Sequence, residues 1–182
     1  MSRIAPLDPA DAQGTPKELL DQVQAALGAT PNMTKVMAQS SVLGGWLGLN
    51  GAMGKGAIRK ATGERIALAV AEANGCHYCL SAHTFLATNV AKLSDAEIVQ
   101  ARQFGSEDPK AAAILVFAQA VLQSKGAVSD EEIAEARAAG LSDAELGDTV
   151  GHVALNVLTN YFNNAFDVEI DFPVVQPHAA AA

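Results

Sequence analysis

The amino-acid sequence predicts an all-α fold, one compact domain of about seven or eight helices. Three features carry that expectation. Hydrophobic residues make up 49% of the chain and aromatic ones only 5%, so the core has to be assembled from Ala, Leu, Val and Ile, a composition that suits helices. Ser-x-x-Glu, in which serine and glutamate reciprocally satisfy free amides at a helix start, occurs at Ser94, Ser129 and Ser142. Strand-like alternation is confined to DVEIDFPVV at 167–175.

Along the chain, residues 1–15 hold two prolines and a glycine and read as an extended arm lying on the body or on a neighbouring molecule. Thr15-Pro16 opens a helix, since proline fits the first helical position, and KELLDQVQAAL keeps helical apolar spacing until Gly28 stops it. A second helical piece starts near Pro31 and includes Met33, Val36 and Met37. SVLGGWLGLNGAMGKGAI, 41–58, is apolar but rich in glycine, which weakens a regular helix and permits close packing. ERIALAVAEANG, 64–75, is apolar on nearly every face from Ile66 to Ala71 and predicts a central buried helix, broken by Asn74-Gly75. A helix from about 76 to 90 follows, then SDAEIVQARQFG (94–105), PKAAAILVFAQAVLQSKG (109–126), SDEEIAEARAAG (129–140) and a last long helix over 143–166. The helical domain is therefore expected at 16–166, with 167–182 an extended tail ending loosely in QPHAAAA.

Lys and Arg number 12 against 20 Asp and Glu, a net charge of −8 that repels phosphate backbones, so no nucleic-acid partner is expected. Neither a basic leader with an apolar stretch nor a run of 18 apolar residues occurs, so no membrane association is expected and the location reads as cytoplasmic. In a reducing compartment, two cysteines spaced C-x-x-C serve catalysis or metal binding more often than they staple a fold.

GCHYCLSAH, 75–83, contains both cysteines, Cys76 and Cys79, with His83 four residues beyond the second. On a helix, Cys79 lies about 60° and His83 about 20° from Cys76, so the three share a face, with Tyr78 nearly opposite and His77 off the stripe. A cysteine that opens a helix meets unpaired amides and the macrodipole, which lower a thiol pKa from its free value of about 8.5. A histidine one turn beyond can accept or relay the thiol proton. The same residues also allow half of a zinc site, for which the fourth ligand would be His77 or a distant carboxylate. A purely structural disulfide would close too short a loop to add much stability. His83 by itself equally suits a hydrogen-bonded core histidine. No metal and no cofactor are expected.

Glu64 stands twelve residues before Cys76. As a lone acidic residue it could merely complement a helix N-terminus. Together with the motif it gives E-x(11)-C-x-x-C-x-x-x-H, carried here by Glu64, Cys76, Cys79 and His83, which resembles the signature of the alkylhydroperoxidase D-like, peroxidase-related branch of the carboxymuconolactone decarboxylase superfamily. SVLGGWLGLNGAMGKGAI before the motif and DTVGHVALNVLTNYFNNAFDVEIDFP after it resemble that branch as well. The resemblance implies an all-helical homo-oligomer, a trimer or hexamer, that reduces hydroperoxides through its dithiol. It implies that Cys79 is oxidised by peroxide, that Cys76 resolves the sulfenic acid into a disulfide, and that His83 and Glu64 relay protons. It also implies a dithiol reductant protein, lipoyl-bearing or thioredoxin-like. The best-known members carry a histidine immediately before the second cysteine, where this chain has Tyr78, with His77 one place earlier.

Two other functions fit parts of the pattern. A lactone-decarboxylating lyase belongs to the same superfamily but does not rely on a C-x-x-C pair. A non-enzymatic redox sensor would use the same dithiol once per oxidation instead of turning over. Elsewhere, His152, Asn156, Asn160 and Asn163 form a polar stripe on the last helix that reads as a hydrogen-bonded seam between helices or subunits. Trp46, Leu47, Leu49 and Met53 read as core or subunit interface.

Overall fold

A computed structural model describes residues 2–178; the alanines at 179–182 of the expected loose tail lie outside them. The described residues form nine helices and no strand, eight of the helices being seven residues or longer. They run α1 (Gly14–Leu27), α2 (Asn32–Met37), α3 (Val42–Met53), α4 (Lys60–Ala73), α5 (His77–Asn89), α6 (Asp95–Ala101), α7 (Pro109–Gln123), α8 (Asp130–Ala138) and α9 (Asp143–Phe166).

Helix α4 is the axis of the domain. Every residue from Ile66 to Ala71 is buried, because α5, α6, α7 and α9 pack around it. It begins four residues earlier than Glu64, and its N-cap residue, Arg59, makes no side-chain cap. Glu64 therefore lies in the second turn and does not serve a helix N-terminus. Thr62-Gly63 hides this extension in the sequence, since neither residue favours a helix interior. The missing side chain at Gly63 is used for packing: a Cβ there would stand 3.1 Å from Cε1 of His152 on α9.

The capping boxes at Ser129–Glu132 and Ser142–Glu145 are complete, with both reciprocal bonds made. At Ser94 only half forms. The serine accepts from the Glu97 amide, while the Glu97 carboxylate turns inward to Arg65 Nε (2.6 Å), the Ser106 hydroxyl (2.9 Å) and the Glu107 amide (2.6 Å). A buried guanidinium on α4 outcompetes the solvent-facing cap, since an unpaired charge at that depth costs more than one lost cap.

Residues 167–178 form no strand despite their brief alternation. They lie as an extended strap across α5. Phe172 packs edge-on against Tyr78, with ring centroids 5.8 Å apart, and also meets Phe85. The Val175 amide donates to the Ser81 hydroxyl at 2.9 Å, and the His178 amide to Glu72 at 2.7 Å. Near the other end of the chain, the Arg3 amide donates to the Phe166 carbonyl and the Leu7 amide to that of Lys35.

Candidate active site

Cys76 is the N-cap of α5. Gly75 brings the chain out of α4 at φ +59°, a conformation that favours glycine. This turn sets the Cys76 sulfur to accept the Cys79 amide at 3.2 Å. Cys76 and Cys79 are joined as a disulfide, with Cα atoms 5.3 Å apart. The bond is deep: Cys76 is 0% and Cys79 3% exposed.

His83 lies one turn beyond Cys79 on the same helix, and its Nδ1 is 2.9 Å from the Glu64 carboxylate of α4. Both side chains are mostly covered, 24% and 14% exposed. If Nδ1 carries the proton donated to the carboxylate, Nε2 is left as an acceptor. The four residues of the motif are thus assembled as two pairs, a disulfide and a carboxylate–imidazole pair, on neighbouring helices. No hydrogen bond joins the pairs among the described residues.

Tyr78 is directed away from the sulfurs. Its hydroxyl donates to Asp171 at 2.8 Å and accepts the Met33 amide at 3.2 Å. Burial raises its pKa, and the nearby Asp171 carboxylate adds to the effect, so the phenol stays protonated. His77 is exposed and lines an open cavity of about 470 Å³ with Tyr78, Asn163, Asn164, Asp167 and Glu169. Among the described residues no group of three or more His, Cys, Asp or Glu is placed to hold a metal ion.

The polar stripe of α9 divides by partner. Asn156 donates to the His152 carbonyl of its own helix, and Asn160 accepts from Asn74 at 2.9 Å across the interface. His152 Nε2 is buried without a partner. Burial lowers the pKa of this ring, against the pull of Asp148 and Glu64. Asn163 does what the sequence did not reveal. Its amide nitrogen lies 3.2 Å from the Cys79 sulfur and 3.3 Å from that of Met33. The helical spacing marked Asn163 as buried, but its partner is 84 positions away in the chain, and no local signal encodes that contact.

Residues 41–123, which include α3, α4, the motif and α7, match the model of the carboxymuconolactone decarboxylase family. That matched stretch holds all four residues of the motif, Glu64, Cys76, Cys79 and His83. The fold of the chain is shared with the alkylhydroperoxidase AhpD core of a peroxidase-related protein from Ralstonia eutropha JMP134, at TM-score 0.82 and 22% identity over 93% of this chain and 92% of that one. A peroxidase-related protein from Silicibacter sp. TM1040 follows at 0.77 and 21%, over 92% and 91%. The debrominase Bmp8, solved with 2,3,4-tribromopyrrole, is similar at 0.74 and 23%, over 92% and 91%. At these identities the likeness speaks for the fold alone, and one fold carries more than one chemistry. No curated protein sequence matches the chain.

Proposed function

We propose that this protein is a thiol-dependent hydroperoxide reductase. The observation that carries the reading is the pairing of a C-x-x-C disulfide at the first turn of α5 with a carboxylate–imidazole pair one turn further on. In the reduced protein the Cys79 thiolate attacks the distal oxygen of the hydroperoxide. The S–O bond forms as the O–O bond breaks, leaving a sulfenic acid and an alkoxide, which takes a proton from His83. Glu64 holds the imidazole by Nδ1, so that Nε2 can take the Cys79 thiol proton and then give it to the alkoxide. Cys76 then attacks the Cys79 sulfur, the disulfide closes and water leaves. Two thiols and one hydroperoxide become one disulfide, one alcohol and one water, and an external dithiol, lipoyl-bearing or thioredoxin-like, returns the two electrons.

No helix among the described residues is long and apolar enough to cross a membrane, which agrees with a cytoplasmic enzyme in a compartment that keeps such a dithiol reducible. A homo-oligomer, trimer or hexamer, completes the reading. Val150, Leu158 and Tyr161 are exposed along one side of α9, Tyr161 to 61%, an apolar stripe of the kind subunits cover.

The decisive experiment supplies hydroperoxide with several dithiol donors and counts turnovers. Repeated consumption with at least one donor is expected. Consumption that stops at one equivalent per dithiol with every donor would replace the reductase by a single-use sensor.

A further inference from the structure

Each sulfur of the motif receives one N–H, and the two donors differ in kind. Cys76 has the backbone amide of Cys79 and the first turn of α5. These are features of any helix start, and on their own they would make Cys76 the more acidic thiol. Cys79 has the side-chain amide of Asn163 on α9.

We propose that Asn163 is a catalytic residue, whose amide nitrogen stabilises the Cys79 sulfur as a thiolate and so makes Cys79, not Cys76, the nucleophile. The inference rests on the reductase reading for the role of that nucleophile, and on the geometry alone for the thiolate.

Three observations support it. The first is orientation. Neither the thioether of Met33 nor the disulfide sulfur of Cys79 can donate, so the amide must turn its NH2 towards them. A sulfur is a weak acceptor when neutral. It becomes a strong one only as a thiolate, when the bond turns charge-assisted. The interaction therefore gains most in the state that attacks.

The second observation is cost. The other end of the amide, Oδ1, is buried with no partner, and Asn163 is 3% exposed. Most buried side chains that serve stability alone have their polar atoms satisfied, and Asn163 shares an orphaned atom with few others among the described residues, one of them Asn160 on the same helix. A buried asparagine with an orphaned carbonyl and two sulfur contacts is better explained by what it does to the sulfur.

The third is position. Asn163 is also among the residues that line the open cavity beside His77 and Tyr78, which brings that cavity within one residue of the reacting sulfur. In the attack itself Asn163 gains and loses nothing. The sulfur lone pair makes the S–O bond, the O–O pair leaves with the alkoxide, and the amide holds the sulfur throughout.

The test titrates each thiol alone, in reduced protein, by thiolate absorbance against pH. In the Cys76→Ser background, which keeps only Cys79, Asn163→Leu should raise the Cys79 pKa by about one to two units, a loss of about 10- to 100-fold in thiolate fraction below both values. In the Cys79→Ser background the same substitution should leave the Cys76 pKa in place. Asn163→Asp, nearly identical in shape, sets a carboxylate against the thiolate and should raise the Cys79 pKa as well. It keeps the test open should leucine prevent folding. An unshifted Cys79 pKa in the folded variants, or equal shifts at both cysteines, overturns the proposal. None of these readings needs turnover. A Cys79-specific shift in a protein that consumes no peroxide would leave the thiolate assignment standing and remove the reductase.

Discussion

The Glu64 carboxylate accepts from, or pairs with, Nδ1 of His83 at 2.9 Å across the α4–α5 interface. The contact removes the simplest alternative for Glu64, because a side chain in the second turn of α4, pointed at an imidazole, has no helix N-terminus to serve. If the pair relays protons, His83→Phe should cut the rate of peroxide reduction by about 10² to 10⁴. Glu64→Gln, which keeps an acceptor for Nδ1 but removes the charge, should cost less. Rates measured against pH, beside melting temperatures, check this; unchanged rates with lowered melting points would reduce the pair to a structural contact.

The order of the cysteines is open to direct trapping. Cys79→Ser should abolish peroxide reduction. Cys76→Ser should still form a sulfenic acid at Cys79 but be unable to close the disulfide. Mass spectrometry after one equivalent of peroxide reads the outcome, and a sulfenate on Cys76 in the Cys79→Ser protein would reverse the assignment.

His152 gives a pH dependence whose sign follows from burial. Its folded-state pKa lies below the ordinary 6.5, mainly through desolvation, with Asp148 and Glu64 opposing. The unfolded chain therefore binds the proton more readily. The contribution to stability is complete above about 6.5 and is lost as pH falls from there towards the folded value. Denaturant midpoints should decline through that window in the native protein, and His152→Gln should flatten the decline. A parallel decline in both proteins would assign it to other groups.

The Arg65–Glu97 pair predicts a purely structural variant. Burial opposes ionisation of Glu97, but the Glu107 amide, Arg65 and Ser106 outweigh it and hold the carboxyl below its ordinary 4.5. Glu97→Ala leaves the Arg65 guanidinium buried without its partner and should cost about 3–5 kcal/mol. A large fall in melting temperature with the thiol chemistry intact below it is the expected result. A loss under 1 kcal/mol would mean that water reaches Arg65 readily.

Much of this architecture was legible locally. Helix starts at Ser129 and Ser142 are written into four-residue patterns, and the buried run Ile66–Ala71 marks the central helix by composition alone. The failures share one physical origin, competition from a distant partner. Glu97 leaves its capping box for Arg65, 32 positions away. The α4 start moves back through Thr62-Gly63 because His152 packs where a side chain would stand. The course of the tail is likewise set at a distance, by Ser81, Glu72 and the aromatic faces of Tyr78 and Phe85, which offer it anchors on α5 and α4. Asn163 is the sharpest case, since its spacing reports only that it is buried while its contact with Cys79 depends on how α9 crosses α5.

Among the helices with a side-chain N-cap, α6, α7, α8 and α9 use an oxygen, from Ser94, Asp108, Ser129 and Ser142, and only α5 uses a sulfur. Sulfur is the poorer acceptor, so the turn that carries the dithiol is fastened more weakly than its counterparts once the Cys76–Cys79 bond is reduced, and by that bond itself while it is oxidised. A reductant the size of a protein cannot touch a disulfide that is 0% and 3% exposed while that turn stays closed. If the reductant is a protein dithiol, the first turn of α5, next to the left-handed Gly75, is the part of the fold that has to open to it.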